Sequence, residues 1–160
     1  MKLKKIIPLV ILFTAVFAIN ISHAQRGGGA TVYEPSTFKD MPYRLMKPLN
    51  FDSSKKYPVI ISLHGAGGRG NDNKKQLKDW NKQLSAEAIR KDYPAYVLAP
   101  QSKGHWGKEH FVKIKEIIKE LPSVDMDRIY MLGHSMGGHG TFTIMQLAPN
   151  YFAAAAPSAG

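Results

Sequence analysis

Ser135 stands in Gly133-His134-Ser135-Met136-Gly137-Gly138, directly after the run Arg128-Ile129-Tyr130-Met131-Leu132 and shortly before the helix-compatible stretch Thr141 to Leu147. A serine held in a sharp turn from strand to helix has strained backbone angles, and glycines at the flanking positions leave room for the turn, so the hydroxyl projects beyond the sheet edge. The chemistry open to such a hydroxyl is attack on an acyl carbon. The oxyanion formed in that step requires two preorganised backbone N–H groups, each worth about 3 kcal/mol. One is expected from Met136. The other is expected from Ala66, or from Gly65 or Gly67 beside it, in the glycine-rich run His64-Gly65-Ala66-Gly67-Gly68. His64 lies at a strand end and reads as a structural hydrogen-bonding residue that holds this loop, not as a base.

These residues need strands to place them. Tyr57 to Leu63 is apolar and β-branched, as a strand buried on both faces should be, and it leads into the glycine loop. Met41 to Met46 reads as an earlier strand and Asn50 to Lys56 as a polar turn. Residues 75–91 are expected to form one helix with Leu77, Trp80, Leu84, Ala88 and Ile89 on its apolar stripe, which puts Trp80 in the core. Ala95 to Ala99 is the next strand. Phe111, Ile114, Ile117, Ile118 and Leu121 repeat at helical spacing, with Lys113, Lys115, Glu116, Lys119 and Glu120 on a solvated face. Tyr151 to Ala156 reads as a further buried strand, and Asp127 beside Arg128 as a surface ion pair. The alternation predicts an α/β fold, a doubly wound, mostly parallel sheet with ligands at the carboxyl ends of its strands. The loop 101–107 should face the same cleft. Its Trp106 is a candidate substrate-binding wall, the alternative being local packing, and His105 reads as a surface histidine.

Lys2, Lys4 and Lys5 followed by the apolar run Ile6 to Ile21 and by Ser22-His23-Ala24 have the order of a secretory signal peptide, residues 1–24. The rival is an uncleaved anchor, but the run contains Pro8 and Asn20 and is short for a span of about 20 residues. Residues 25–36, with Gly27-Gly28-Gly29, are expected to be a flexible lead-in, and 37–160 the folded portion. There is no cysteine, so an exported chain would depend on its core alone, and secreted or periplasmic placement in a bacterium fits both features. The formal net charge of +10 comes from scattered lysines and arginines, without the interleaved aromatics of a nucleic-acid site. No nucleic-acid partner and no stable membrane insertion are expected.

The sequence resembles the α/β-hydrolase superfamily, and within it the secreted esterase-like branch of feruloyl and acetylxylan esterases, polyhydroxybutyrate depolymerase-like proteins and phospholipase/carboxylesterase relatives. The resemblance rests on Leu63 to Gly68, on Ala99-Pro100-Gln101 with Trp106 following, and on Val124 to Tyr130 leading into Gly133 to Gly138. It implies a serine hydrolase working through an acyl-enzyme on Ser135, with Met136 and Ala66 as oxyanion donors, an ester as substrate, and neither metal nor organic cofactor. The superfamily places its acid and histidine after the nucleophile. Among the 25 residues after Ser135 only His139 is Asp, Glu or His. The resemblance also implies roughly two further strands, so the chain is expected to be the N-terminal portion of such a domain, a fragment, or else a natural short form. Two rival functions stand beside the carboxylic ester hydrolase: a prolyl-oligopeptidase-like serine peptidase, and a non-catalytic binding module lacking the triad.

Overall fold

The computed structural model describes residues 32–160. The expected signal peptide, residues 1–24, lies outside the described residues. Six strands form one sheet: β1 (Glu34–Phe38), β2 (Met41–Met46), β3 (Tyr57–Leu63), β4 (Tyr96–Pro100), β5 (Val124–His134) and β6 (Ala154–Ser158). Their order is β1-β2-β4-β3-β5-β6, with β4, β3, β5 and β6 parallel to one another, and with the antiparallel β1–β2 hairpin at one edge joined through β2 antiparallel to β4. Helices α1 (Asp79–Leu84), α2 (Glu87–Asp92), α3 (Lys108–Glu120) and α4 (Met136–Leu147) connect or flank the parallel strands.

The period-2 alternation of the strands divides the core between two faces. Val59, Ile61 and Leu63 of β3, with Leu98, Ile129 and Met131, pack in one cluster with Phe111, Ile114, Ile117 and Ile118 of α3 and Ile144 of α4. Complete burial of Ile114 and Ile118 is worth about 1.5–3 kcal/mol each, which fixes α3 against the sheet although half its surface is charged. On the other face Val97 and Met46 pack with Tyr33, and Ile60, Leu77 and Leu84 lie against them.

The structure departs from the sequence reading at five places outside the site. The buried strand expected over Tyr151 to Ala156 is β6, Ala154–Ser158, mostly exposed at the sheet edge. The lead-in expected over 25–36 ends sooner: Tyr33 is buried, its hydroxyl donates to the Asn81 carbonyl at 2.9 Å, and β1 starts at Glu34. β1 is exposed along most of its length and carries Pro35, which an edge strand tolerates, so it has no apolar alternation to reveal it. The single helix expected over 75–91 is two short ones. Residues 74 and 75 donate their N–H groups to Asp72 Oδ1, Lys78 is extended, and Ala86 at ψ 135° interrupts the chain between α1 and α2. Arg128 pairs with Asp125 at 2.7 Å, not with Asp127; the Asp127 N–H donates to Asp125 Oδ1 at 3.1 Å, a local turn that breaks the alternation at the irregular start of β5. Lys113, placed on a solvated face, is only 19% exposed and holds Asp40 of the β1–β2 turn at 2.6 Å.

Candidate active site

Ser135 occupies the junction of β5 and α4 with φ 53° and ψ −122°, a conformation sparsely populated by residues other than glycine. Its N–H donates to Ser158 O of β6 at 2.8 Å and its carbonyl accepts from His139 N–H at 3.0 Å, so both neighbouring elements hold the turn. The turn also requires close backbone approach. A Cβ on Gly137 would collide with the Leu63 carbonyl oxygen, and one on Gly133 with the Gly137 carbonyl. Ser135 is left exposed at the carboxyl edge of the sheet. Met136 is the first residue of α4, where N–H groups have no intrahelical partner and the helix dipole favours negative charge.

The glycine loop after β3 meets this elbow. A Cβ on Gly65 would lie 3.0 Å from His134 O and 3.4 Å from Ser135 Cβ. Ala66 opens a single 3₁₀ turn over Ala66–Gly68, closed by Gly68 N–H to Gly65 O at 2.9 Å. His64 is fully buried beneath it. One ring nitrogen, Nε2, accepts from Ser102 N–H at 3.0 Å, and the other, Nδ1, lies 2.7 Å from the Gly65 carbonyl. A carbonyl can only accept and an N–H can only donate, so the imidazole is the neutral Nδ1–H tautomer. Burial holds its pKa below the ordinary histidine value, in agreement with that state.

Two residues that the sequence reading gave no role complete the support. Gln101, buried at the end of β4, donates from Nε2 to Gly68 O at 3.1 Å and to Asp72 Oδ1 at 2.9 Å, while its Oε1 accepts from Asn73 N–H at 2.7 Å. The Asp72 carboxyl is held far below the usual carboxylate range, first by the Gln101 amide and then by the N–H groups of Lys75 and Lys74. Ser102 Oγ contacts His110 Nε2 at 2.8 Å. The sequence signal for the first was Ala99-Pro100-Gln101 at a strand end; nothing in the sequence marked Asp72.

Trp106 does not form a cleft wall. It is buried, its indole N–H donates to His64 O at 3.0 Å, and its side chain occupies the space left by Gly140 of α4. The residue locks α4 and the glycine loop together. Trp80, expected in the core, is half-buried: its N–H donates to Ser62 Oγ at 2.8 Å and its ring lies 6.0 Å from that of His134. These two, with Leu132, Gly133, Ala156 and Ser158, line a pocket of about 410 Å³ beside the elbow. A larger cavity of about 550 Å³ is bounded by Tyr57, Pro58, Pro94, Ala95 and Arg128, at the opposite ends of the strands, and so is remote from Ser135.

Among the described residues no imidazole is hydrogen-bonded to the Ser135 hydroxyl. His134 Nδ1 lies 3.4 Å from Ser158 Oγ, and exposed His139 faces exposed His105 with ring centres 6.4 Å apart. Asp125 lies at the start of β5, the far end from Ser135. No group of three or more His, Asp or Glu side chains could hold a metal among the described residues.

The fold recurs in solved structures. A thermostable esterase superposes with a TM-score of 0.72 and 32% identity over 79% of this chain. The chain belongs to the α/β-hydrolase superfamily. Within it, the prolyl oligopeptidase family profile matches residues 96–160. Dipeptidyl-peptidase 5 of Aspergillus fumigatus is 32% identical over 124 residues, 66% of this chain, and an uncharacterised secreted protein of Arthroderma benhamiae is 30% identical over 136 residues, 74% of it. This α/β-hydrolase chain spans 40% of the esterase, 16% of the peptidase and 14% of the secreted protein. Its similarities therefore include both esterases and peptidases.

Proposed function

We propose that the chain carries the nucleophile and oxyanion loop of an exported serine hydrolase that cleaves carboxylic esters through an acyl-enzyme. The backbone of Ser135 carries the reading: a non-glycine residue at φ 53° and ψ −122° between a central strand and a helix start is a strain with a use when its hydroxyl is the nucleophile. Ser135 Oγ attacks the ester carbonyl carbon, its proton passes to a base and from there to the leaving oxygen, and the alcohol departs as the C–O bond breaks. Water then attacks the acyl-serine, releasing the carboxylic acid and restoring the hydroxyl. The N–H groups of Met136 and Ala66 donate to the oxyanion in both steps.

The esterase at 32% identity supports an ester substrate, and the lysine-rich start with one relative named as secreted supports export. The prolyl oligopeptidase match supports a second reading, a serine peptidase on the same nucleophile. The test sets p-nitrophenyl acyl esters beside a dipeptide anilide, with wild type and Ser135→Ala, and maps a fluorophosphonate adduct by mass spectrometry. Ester turnover should exceed anilide turnover, Ser135→Ala should lower kcat by about 10⁴ or more, and the adduct should sit on Ser135. Faster anilide cleavage establishes the peptidase. Labelling of Ser62 or Ser102, or no labelling and no turnover, overturns the assignment of Ser135.

A further inference from the structure

Arg69 follows the 3₁₀ turn of the glycine loop, with its N–H bonded to Ala66 O at 3.1 Å. Its side chain crosses to α4, where Nε lies 3.2 Å from Met136 Sδ. A thioether is a weak acceptor. That contact therefore positions the guanidinium without neutralising it, and the residue remains exposed. On the same loop, Lys78 Nζ donates to Gly67 O at 3.1 Å. Neither cation has a carboxylate partner among the described residues, whose ion pairs all involve other lysines and Arg128. The acid nearest Arg69 along the chain, Asp72, is taken by Gln101, by two backbone N–H groups and by Lys75, and Asp79 beside Lys78 makes no ion pair with it. Both positive charges also reach His64 under the loop and oppose its protonation, although burial dominates there.

The site thus places two uncompensated cations around the loop that holds Ala66, one of them against the side chain of the residue after Ser135. The two η nitrogens of Arg69 make no hydrogen bond within the described structure, and a planar fork of this kind matches a carboxylate bidentately. We infer that Arg69, assisted by Lys78, is a carboxylate-recognition subsite, and that the substrate is an ester bearing a carboxylate within a few bonds of the scissile carbonyl. The inference rests on the hydrolase reading of Ser135 for its catalytic form, but anion binding at Arg69 does not.

Two matched ester pairs test it: mono-p-nitrophenyl succinate against p-nitrophenyl methyl succinate, and 3-carboxyphenyl butyrate against phenyl butyrate. The readout is the ratio of kcat/KM for the charged to the neutral member. In wild type at least one ratio should exceed that of Arg69→Met by about 10-fold, with Arg69→Lys between them and 1 M salt reducing the difference. Ratios that do not change overturn the subsite, whether the variant lowers both esters together or neither. Calorimetric titration with monomethyl glutarate needs no turnover and separates this inference from the catalytic one. Binding weakened about 10-fold by Arg69→Met supports the subsite even in a protein that hydrolyses no ester, and absence of binding to wild type together with unchanged ratios rejects it.

Discussion

The glycines around Ser135 differ sharply in what they tolerate, and the difference is geometric. Gly137→Ala would drive a methyl group into the backbone carbonyls of Leu63 and His64, which cannot move without separating α4 from β3. The expected cost is about 3 kcal/mol or more, read as a lower urea midpoint at unchanged slope. Gly107→Ala is the control, since nothing lies within 4 Å of the added carbon and the residue is already extended at φ −164°. Its stability should stay within about 0.5 kcal/mol of wild type. Gly65→Ala falls between them. The new methyl would sit 3.4 Å from Ser135 Cβ, so the loop must shift by a few tenths of an ångström and activity should fall more than stability.

At the scale of elements, the support under the glycine loop makes a separate prediction. Gln101→Leu removes the bonds to Gly68 O, Asp72 and Asn73 N–H while keeping the side chain's approximate volume. It should cost about 1–3 kcal/mol of stability and lower kcat more than it raises KM, because the loop carries the proposed oxyanion donor. Hydrogen exchange at residues 65–70 would show the loosened loop directly. The elements that were legible in the sequence are those whose burial is periodic. β3 and the Ile129–Gly133 part of β5 read as strands because they are buried between neighbouring strands, and α3 because Phe111, Ile114, Ile117 and Ile118 repeat on one face. β1 was hidden because an exposed edge strand needs backbone pairing but no apolar pattern. The break between α1 and α2 was hidden because the apolar stripe continues through it, while Ser85 bonds back to Lys82 O and ends the first helix locally. The tight turn at Ser135 was legible from its glycines. Trp106 was misjudged because its loop lies at the right edge of the sheet, and only the cavity left by Gly140 decides that the ring turns inward.

Across the whole molecule, the buried imidazole of His64 and the half-buried one of His110 couple folding to pH. Burial pushes both His64 and His110 below the ordinary value of 6.5, so the unfolded chain takes up these protons at a higher pH than the native one. Stability from this source is therefore fully present above pH 6.5 and is lost as pH falls through that value toward the lower native values. Urea melts at about pH 8 and about pH 5 should show the loss, and His110→Asn should reduce it. The sheet that these residues help to join also fixes Ser135 from three sides, through Ser158, His139 and the glycine loop, and keeps it in a backbone conformation that glycine adopts with far less strain. Ser135→Gly should therefore raise the melting temperature even after the greater unfolded entropy of glycine is counted, whereas Ser135→Ala, which keeps a Cβ at φ 53°, should not. A heat-challenge library of this protein scored only on surviving fold would then enrich glycine at position 135. Selection for endurance alone would discard the residue proposed as the nucleophile.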